Sequence, residues 1–264
     1  VLGSEGTLGI ITRAVLKLLP RAPYRSDILM IFTDTRKATS IVPILLKAGL
    51  NPTSVEFMDN GFVRASSDYS KFHLSHYEDG AYVILTIETF DQDEMDKKLL
   101  KVDELARQHG AVEVSLADDR VWTIRKNCLE GTRVLSRVST SDDFVVPLDR
   151  ISDTIMDLST LAQEYPFRIF TLAHAGDGNL HFNILKGDLS DQEWEDSLNS
   201  FHAKAYRYVY DQGGLLSGEH GIGAKKIRQL AAYSDPGQML MMTTIKKALD
   251  PLDVLNPGKV IARY

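Results

Sequence analysis

Cysteine is almost missing from this chain of 264 residues, where Cys128 stands alone. A single thiol excludes an internal disulfide and fits a reducing compartment. No apolar run approaches the roughly 18 residues that a membrane-spanning helix needs, so no transmembrane segment is expected. A basic stretch followed by an apolar one, the mark of a secretory signal, is also absent. Neither sign of charge dominates: the formal net charge of −6 argues against a broad nucleic-acid surface. The glycines near the start, Gly3, Gly6 and Gly9, lack the Gly-Lys-Ser/Thr of a P-loop, and no His-Glu-x-x-His zinc-protease motif is present. Repeats of solenoid period and low-complexity tracts are missing too. Cys128 lies amid Arg125, Lys126 and Arg133, whose charges would lower its pKa. No catalytic motif surrounds it, so thiol catalysis is not expected of it.

What remains is an ordinary globular composition, 44% hydrophobic and 25% charged, in a chain long enough for one large domain or two small ones. After a Pro/Arg linker at Pro20–Pro23, apolar periodicity predicts strands at Asp27–Thr33, Thr53–Phe57, Ala81–Phe90 and Val112–Leu116, and helices at Arg36–Ala48 and Gln92–His109. The order strand–helix–strand, twice, points to a split βαβ, ferredoxin-like unit. Further on, Asp118–Leu129 reads as a helix, Ser136–Ser141 as a loop and Phe144–Val146 as a short strand. Helices follow at Leu148–Glu164, Gln192–Gln212, Ala224–Leu230 and Pro236–Ala248. The expected fold class is α+β: an antiparallel, ferredoxin-like sheet covered by helices.

The densest chemistry lies in His174-Ala175-Gly176-Asp177-Gly178-Asn179-Leu180-His181. Ile169–Ala173 and Phe182–Leu185 read as strands, so the Gly-Asp-Gly-Asn turn would set the two imidazoles roughly opposite each other, close enough to share one cation. Alone, such a hairpin is better read as a polar tip with two solvated histidines. Ser217-Gly218-Glu219-His220-Gly221-Ile222-Gly223 shifts the balance toward a metal. In an extended segment neighbouring side chains point to opposite sides. Glu219 would then complete a His/His/carboxylate set, as in catalytic zinc and some ferrous sites, while His220 faces away toward a substrate proton.

His174–Asn183 and Ser217–Gly223 resemble the C-terminal half of FAD-linked D-2-hydroxyacid dehydrogenases, the family of D-lactate, glycolate and D-2-hydroxyglutarate dehydrogenases. Val1–Thr12 looks like the end of that family's FAD-binding domain, and Leu249–Lys259 like its C-terminal signature. The resemblance implies three segments: residues 1–20 as the tail of an FAD-binding domain, 21–250 as the substrate and metal domain, and 251–264 as a segment returning to the flavin side. The chain is accordingly expected to be a fragment, inactive and without tightly bound FAD on its own, with Val1–Thr12 poorly packed.

The resemblance also implies roles. His174, His181 and Glu219 match the metal ligands, with zinc the expected ion, and His220 matches the general base. Arg125 matches a substrate-carboxylate clamp, a task suited to the guanidinium fork; by itself it reads as a surface helix arginine. Asn183 matches a substrate-side hydrogen-bonding group. Asn256 falls where the family approaches the flavin, although it also reads as a plain turn residue before Pro257. One departure bears on the substrate. Where the D-2-hydroxyglutarate branch carries a lysine, this chain has Ser139-Thr140-Ser141-Asp142-Asp143, and an acidic pair there would repel a second carboxylate. With Leu129 in place of a polar residue, this favours a small monocarboxylate. The implied activity is oxidation of a small D-2-hydroxy acid to the 2-oxo acid, using FAD and a divalent metal. The electron acceptor would be a quinone or an electron-transfer flavoprotein, and a homodimer is allowed. The location would be the cytoplasm, or the mitochondrial matrix in a eukaryote. The alternative is a non-catalytic metal-binding module that partners a flavoprotein; a metal hydrolase ranks below both.

Overall fold

The computed structural model describes residues 1–262. Its regular structure begins with β1 (Tyr24–Phe32), α1 (Thr35–Lys47), β2 (Ser54–Met58), α2 (Asn60–Ser70), β3 (Ala81–Thr89), α3 (Gln92–Gln108) and β4 (Glu113–Leu116). Helices α1, α2 and α3 each start at an aspartate, Asp34, Asp59 or Asp91, whose carboxylate accepts a first-turn backbone N–H. Each such cap contributes about 1 kcal/mol. Then come α4 (Asp119–Lys126), α5 (Cys128–Leu135), β5 (Ser139–Val145) and α6 (Ile151–Ala162). The chain ends with the hairpin strands β6 (Arg168–His174) and β7 (Asn179–Leu185), then α7 (Asp191–Asp211), α8 (Ile227–Tyr233) and α9 (Pro236–Leu249).

The seven strands among the described residues form one sheet in the order β4-β1-β3-β2-β6-β7-β5, and every neighbouring pair is antiparallel. The first four strands keep the ferredoxin-like order, and the hairpin and β5 extend the sheet beyond β2. Helices α1, α3, α6 and α7 cover one face over a core that includes Phe32, Phe57, Phe144, Phe182 and Phe201. On the other face α2, α4 and α5 pack over Ile31, Met58, Phe62, Tyr82 and Ile124. Burying each such side chain stabilises the fold by about 1.5–3 kcal/mol. The candidate site lies where α2, α4 and α5 meet the β6–β7 hairpin.

Several sequence expectations need correction. Ser139–Ser141 is strand, not loop: β5 is a sheet edge, and an edge strand tolerates polar side chains. The helix expected over Asp118–Leu129 is two helices, broken at Asn127, whose side-chain amide donates to Ser70 Oγ at 3.0 Å. The one expected at Leu148 opens as a short 3₁₀ turn, Leu148–Arg150, before α6. Helix α2 was unforeseen because its Ser/Asp-rich sequence favours turns and caps over helix interiors. It packs so tightly on α5 that a Cβ at Gly131 would lie 2.4 Å from the Ala65 carbonyl oxygen. The N-terminal segment is strand nowhere between residues 1 and 23, and residues 10–21 are exposed, as expected of a loosely packed end. Its first turns are held instead: Thr7 is buried and the Glu5 carboxylate accepts the Ile222 and Gly223 amides.

Candidate active site

The β6–β7 hairpin supplies two imidazoles. Across the ladder His174 pairs with Asn179 and His181 with Leu172, so the two histidines are diagonal rather than opposed. Diagonal neighbours share a face and remain within reach of long side chains. Their rings stand 5.3 Å apart at 88°. The turn closes through Gly178 at φ +85°, where a Cβ would lie 2.2 Å from the Val146 carbonyl oxygen, so only glycine fits.

Glu219 joins them from the loop before α8. Its Oε1 lies 3.5 Å from His174 Nε2 and 3.2 Å from His181 Nε2, and one ligand atom from each of the three residues falls within 4.8 Å of the others. The segment is not extended, as its sequence had suggested. It bends around Asp143, and His220 therefore turns toward the same centre as Glu219. His220 Nε2 is 3.6 Å from Glu219 Oε1, and its ring is 5.1 Å from that of His181.

The donor set suits a divalent cation on its chemistry. Burial, with the nearby charge of His174 added, pushes the His181 imidazole down to about 4, so it is neutral and ready to ligate near pH 7. His174 is fixed by Glu56, whose Oε1 lies 2.8 Å from Nδ1, which leaves Nε2 turned to the cluster. A carboxylate behind a ligating imidazole orients the ring and raises its basicity. The Glu56 hydrogen bond accordingly raises the His174 pKa. Glu56 itself is buried inside β2. Burial pushes its carboxyl up, but the His174 hydrogen bond and the charge of Arg125 outweigh this and hold it below its ordinary value.

Arg125 Nε and Nη2 both donate to Glu56 Oε2, at 2.9 and 2.6 Å. Arg125 is thus no free surface arginine but part of a chain Arg125–Glu56–His174. It also lines a cavity of about 250 Å³ together with Lys126, Ser141, Asn183, His174, His181, Glu219 and His220, and with apolar Phe62, Cys128, Leu129 and Leu172. Lys126 is exposed there and has no ion-pair partner among the described residues. Asn183 is buried and donates from Nδ2 to Thr132 Oγ1 at 2.9 Å. The predicted site residues therefore converge, with one exception. Asn256 lies outside the cavity and donates to the Glu5 backbone carbonyl.

One electrostatic expectation fails. Asp142 and Asp143 do not repel a ligand, because both are buried and fully engaged. Asp142 faces the other side of the sheet and bonds His202 Nε2 at 2.8 Å and Tyr206 Oη at 3.0 Å. Asp143 accepts amide hydrogens from Gly218, Glu219 and His220. Burial pushes its carboxyl up, yet these bonds and Lys226 hold it below its usual value. Cys128 is not activated: burial pushes its thiol up to about 12 against the smaller opposing effect of Arg125.

Sequence reasoning missed Glu56 and the anchoring role of Asp143, and gave Lys126 no place at the cavity. The signal for the first two was a carboxylate inside an apolar strand, in Val55-Glu56-Phe57-Met58 and Asp142-Asp143-Phe144-Val145, since charges are seldom buried unless paired.

With this geometry in hand, the profile of the FAD linked oxidases, C-terminal domain, matches residues 22–260. The chain belongs to this family. It is 32% identical over 273 residues to D-lactate dehydrogenase of Anaerostipes hadrus, covering 98% of this chain and 57% of that protein. It is 31% identical over 264 residues to glycolate oxidase subunit GlcD of Escherichia coli (strain K12), covering 98% and 52%. The chain thus spans a little over half the length of these relatives. The FAD-linked oxidase fold extends to alkyldihydroxyacetonephosphate synthase, with a TM-score of 0.64 at 17% identity over 97% of this chain and 48% of that one. Among the described residues no helix is long and apolar enough to cross a membrane.

Proposed function

We propose that this domain is the substrate- and metal-binding part of an FAD-dependent dehydrogenase that oxidises a small D-2-hydroxy acid to the 2-oxo acid. The observation that carries the reading is the convergence of His174, His181, Glu219, His220 and Arg125 on one cavity. Two of the relatives, a D-lactate dehydrogenase and a glycolate oxidase subunit, bear names of the same reaction class.

His174 Nε2, His181 Nε2 and a Glu219 carboxylate oxygen would hold the cation. A divalent metal so placed lowers the pKa of a hydroxyl bound to it. Flavin supplies the hydride acceptor that side chains lack, and Asn256, beside Glu5 in the N-terminal segment, is the residue assigned to its vicinity. The remaining work falls to this chain's own groups. The Lys126 ammonium and the Nη1 side of Arg125 bind the substrate carboxylate, and Glu56 holds the Arg125 fork in place. Asn183 orients the substrate from β7. His220 takes the hydroxyl proton at Nε2, the ring nitrogen that faces the cluster 3.6 Å from Glu219 Oε1. Phe62, Leu129 and Leu172 give the cavity an apolar wall, which suits a monocarboxylate with a hydrocarbon substituent. That wall replaces the acidic pair as the ground for a monocarboxylate.

The competing view, a non-catalytic metal-binding module, accounts for Arg125 through Glu56 but leaves Lys126 and His220 around the cavity without a task. The test is flavin reduction in the full-length protein on mixing with D-lactate and larger D-2-hydroxy acids, before and after chelation. Flavin bleaching by a D acid that chelator abolishes and added zinc restores supports the reading. Reduction indifferent to chelation, or none with any 2-hydroxy acid, overturns it.

A further inference from the structure

The loop that carries Glu219 and His220 has no regular secondary structure, yet every backbone N–H from Gly218 to Gly223 donates to a side-chain oxygen. Gly218 donates to Asp143 Oδ1 at 3.1 Å; Glu219 and His220 donate to Asp143 Oδ2 at 2.9 and 2.6 Å. Gly221 donates to Ser217 Oγ at 2.7 Å, and Ser217 Oγ in turn donates to Asp143 Oδ2 at 3.2 Å. Ile222 and Gly223 donate to Glu5 Oε1 and Oε2, each at 2.7 Å. Two carboxylates therefore replace the ladder that a strand or helix would provide.

Their origins differ. Asp143 is fully buried on β5, directly across from His181 in the β5–β7 register. The strand pair that presents a ligating imidazole thus also presents the anchor for the loop. Lys226 stands 3.6 Å from the same carboxylate and donates to the Leu216 carbonyl, which closes the base of the loop. Glu5 comes from the other end of the chain. It lies so close that a Cβ at Gly221, where φ is +81°, would stand 2.6 Å from the Glu5 carboxyl carbon.

We propose that Asp143 and Glu5 are positioning residues: Asp143 fixes Glu219 and His220 against the histidine hairpin, and Glu5 ties the same loop to the N-terminal segment. The claim that this placement serves metal binding rests on the function proposed above; the claim that the two carboxylates set the loop does not. A neutral amide at position 143 would turn an NH₂ toward N–H donors and release the loop without emptying the interior. Charge-assisted bonds from backbone amides to carboxylates are the strong members of their class, so their loss should be read locally.

The experiment combines amide hydrogen exchange on the metal-free protein with zinc titration of wild type, Asp143→Asn, Glu5→Gln and His174→Ala. In Asp143→Asn, exchange at residues 218–220 should accelerate by roughly tenfold or more while residues 222–223 change less; Glu5→Gln should show the reverse. Zinc affinity should fall about 10–100-fold in Asp143→Asn, the usual range for groups that orient metal ligands, and by less in Glu5→Gln. Unchanged exchange in the amides assigned to each carboxylate would overturn the proposal, as would released amides with wild-type zinc affinity. If Asp143→Asn does not fold, Glu5→Gln and Ser217→Ala carry the same test, and unchanged exchange at 221–223 in both overturns it. Failure of the metal reading looks different: wild type and His174→Ala would bind zinc equally or not at all, while the exchange results would still decide the role of the two carboxylates.

Discussion

The hairpin and the loop bring their groups to one centre by opposite means. His174 and His181 ride on strands whose amides and carbonyls are paired along a regular ladder, so their spacing follows from sheet geometry. Glu219 and His220 ride on a segment whose amides are paired to side-chain oxygens, those of Asp143 and Glu5 from elsewhere in the chain and that of Ser217 within the loop. A ladder is robust because each bond is backed by its neighbours. The side-chain cradle depends on a few carboxylates, so single substitutions should reach the loop more easily than the hairpin.

The largest effect is expected where the hairpin itself is broken. His181→Ala removes a neutral ligand and should abolish stoichiometric zinc binding and turnover together, whereas unchanged metal content by elemental analysis would take His181 out of the site. His220→Ala probes the loop. In the flavin-bound full-length protein it should lower kcat by about 10²–10⁴-fold, the range for loss of a general base, with metal retained. Turnover like that of wild type would move the proton to another group.

A smaller change is expected behind the hairpin. Glu56→Gln loosens His174 and frees Arg125. Zinc affinity should fall about 10–100-fold and KM for the acid should rise, and a titration showing neither would make Glu56 merely structural. The smallest effect concerns pH. The Glu56 hydrogen bond raises the His174 pKa above its ordinary 6.5, so a proton competes with the metal as pH falls through that value. His181, pushed down to about 4, stays neutral over the same range. Apparent zinc affinity should therefore drop about tenfold per pH unit below the His174 pKa, with one proton displaced rather than two. A slope of two would show that both histidines titrate there. Because Glu56 raises the His174 pKa, Glu56→Gln should move the onset to lower pH.

The same contrast explains what the sequence disclosed. The ferredoxin-like order and the four groups His174, His181, Glu219 and His220 were legible, since apolar periodicity and short glycine-bracketed motifs are local signals. The register was not: a four-residue turn left His174 facing Asn179 and His181 facing Leu172, an offset that only the completed ladder fixes. Nor was the direction of His220, because alternation along an extended segment fails when the segment wraps a carboxylate. Glu56 escaped notice because its partners lie far off in the chain. Asp142 and Asp143 were misread for that reason too, as free charges rather than as anchors already bonded to α7 and to the loop. Cys128 is buried, which its neighbouring cations in sequence do not reveal.

The central claim is that hairpin and loop meet around one metal ion. X-ray absorption at the zinc edge, on the protein loaded with one equivalent of zinc, tests it most directly. The expected first shell holds two imidazole nitrogens at about 2.0–2.1 Å and a carboxylate oxygen at about 2.0–2.2 Å. A shell with no imidazole scattering, or with only one histidine, would contradict it.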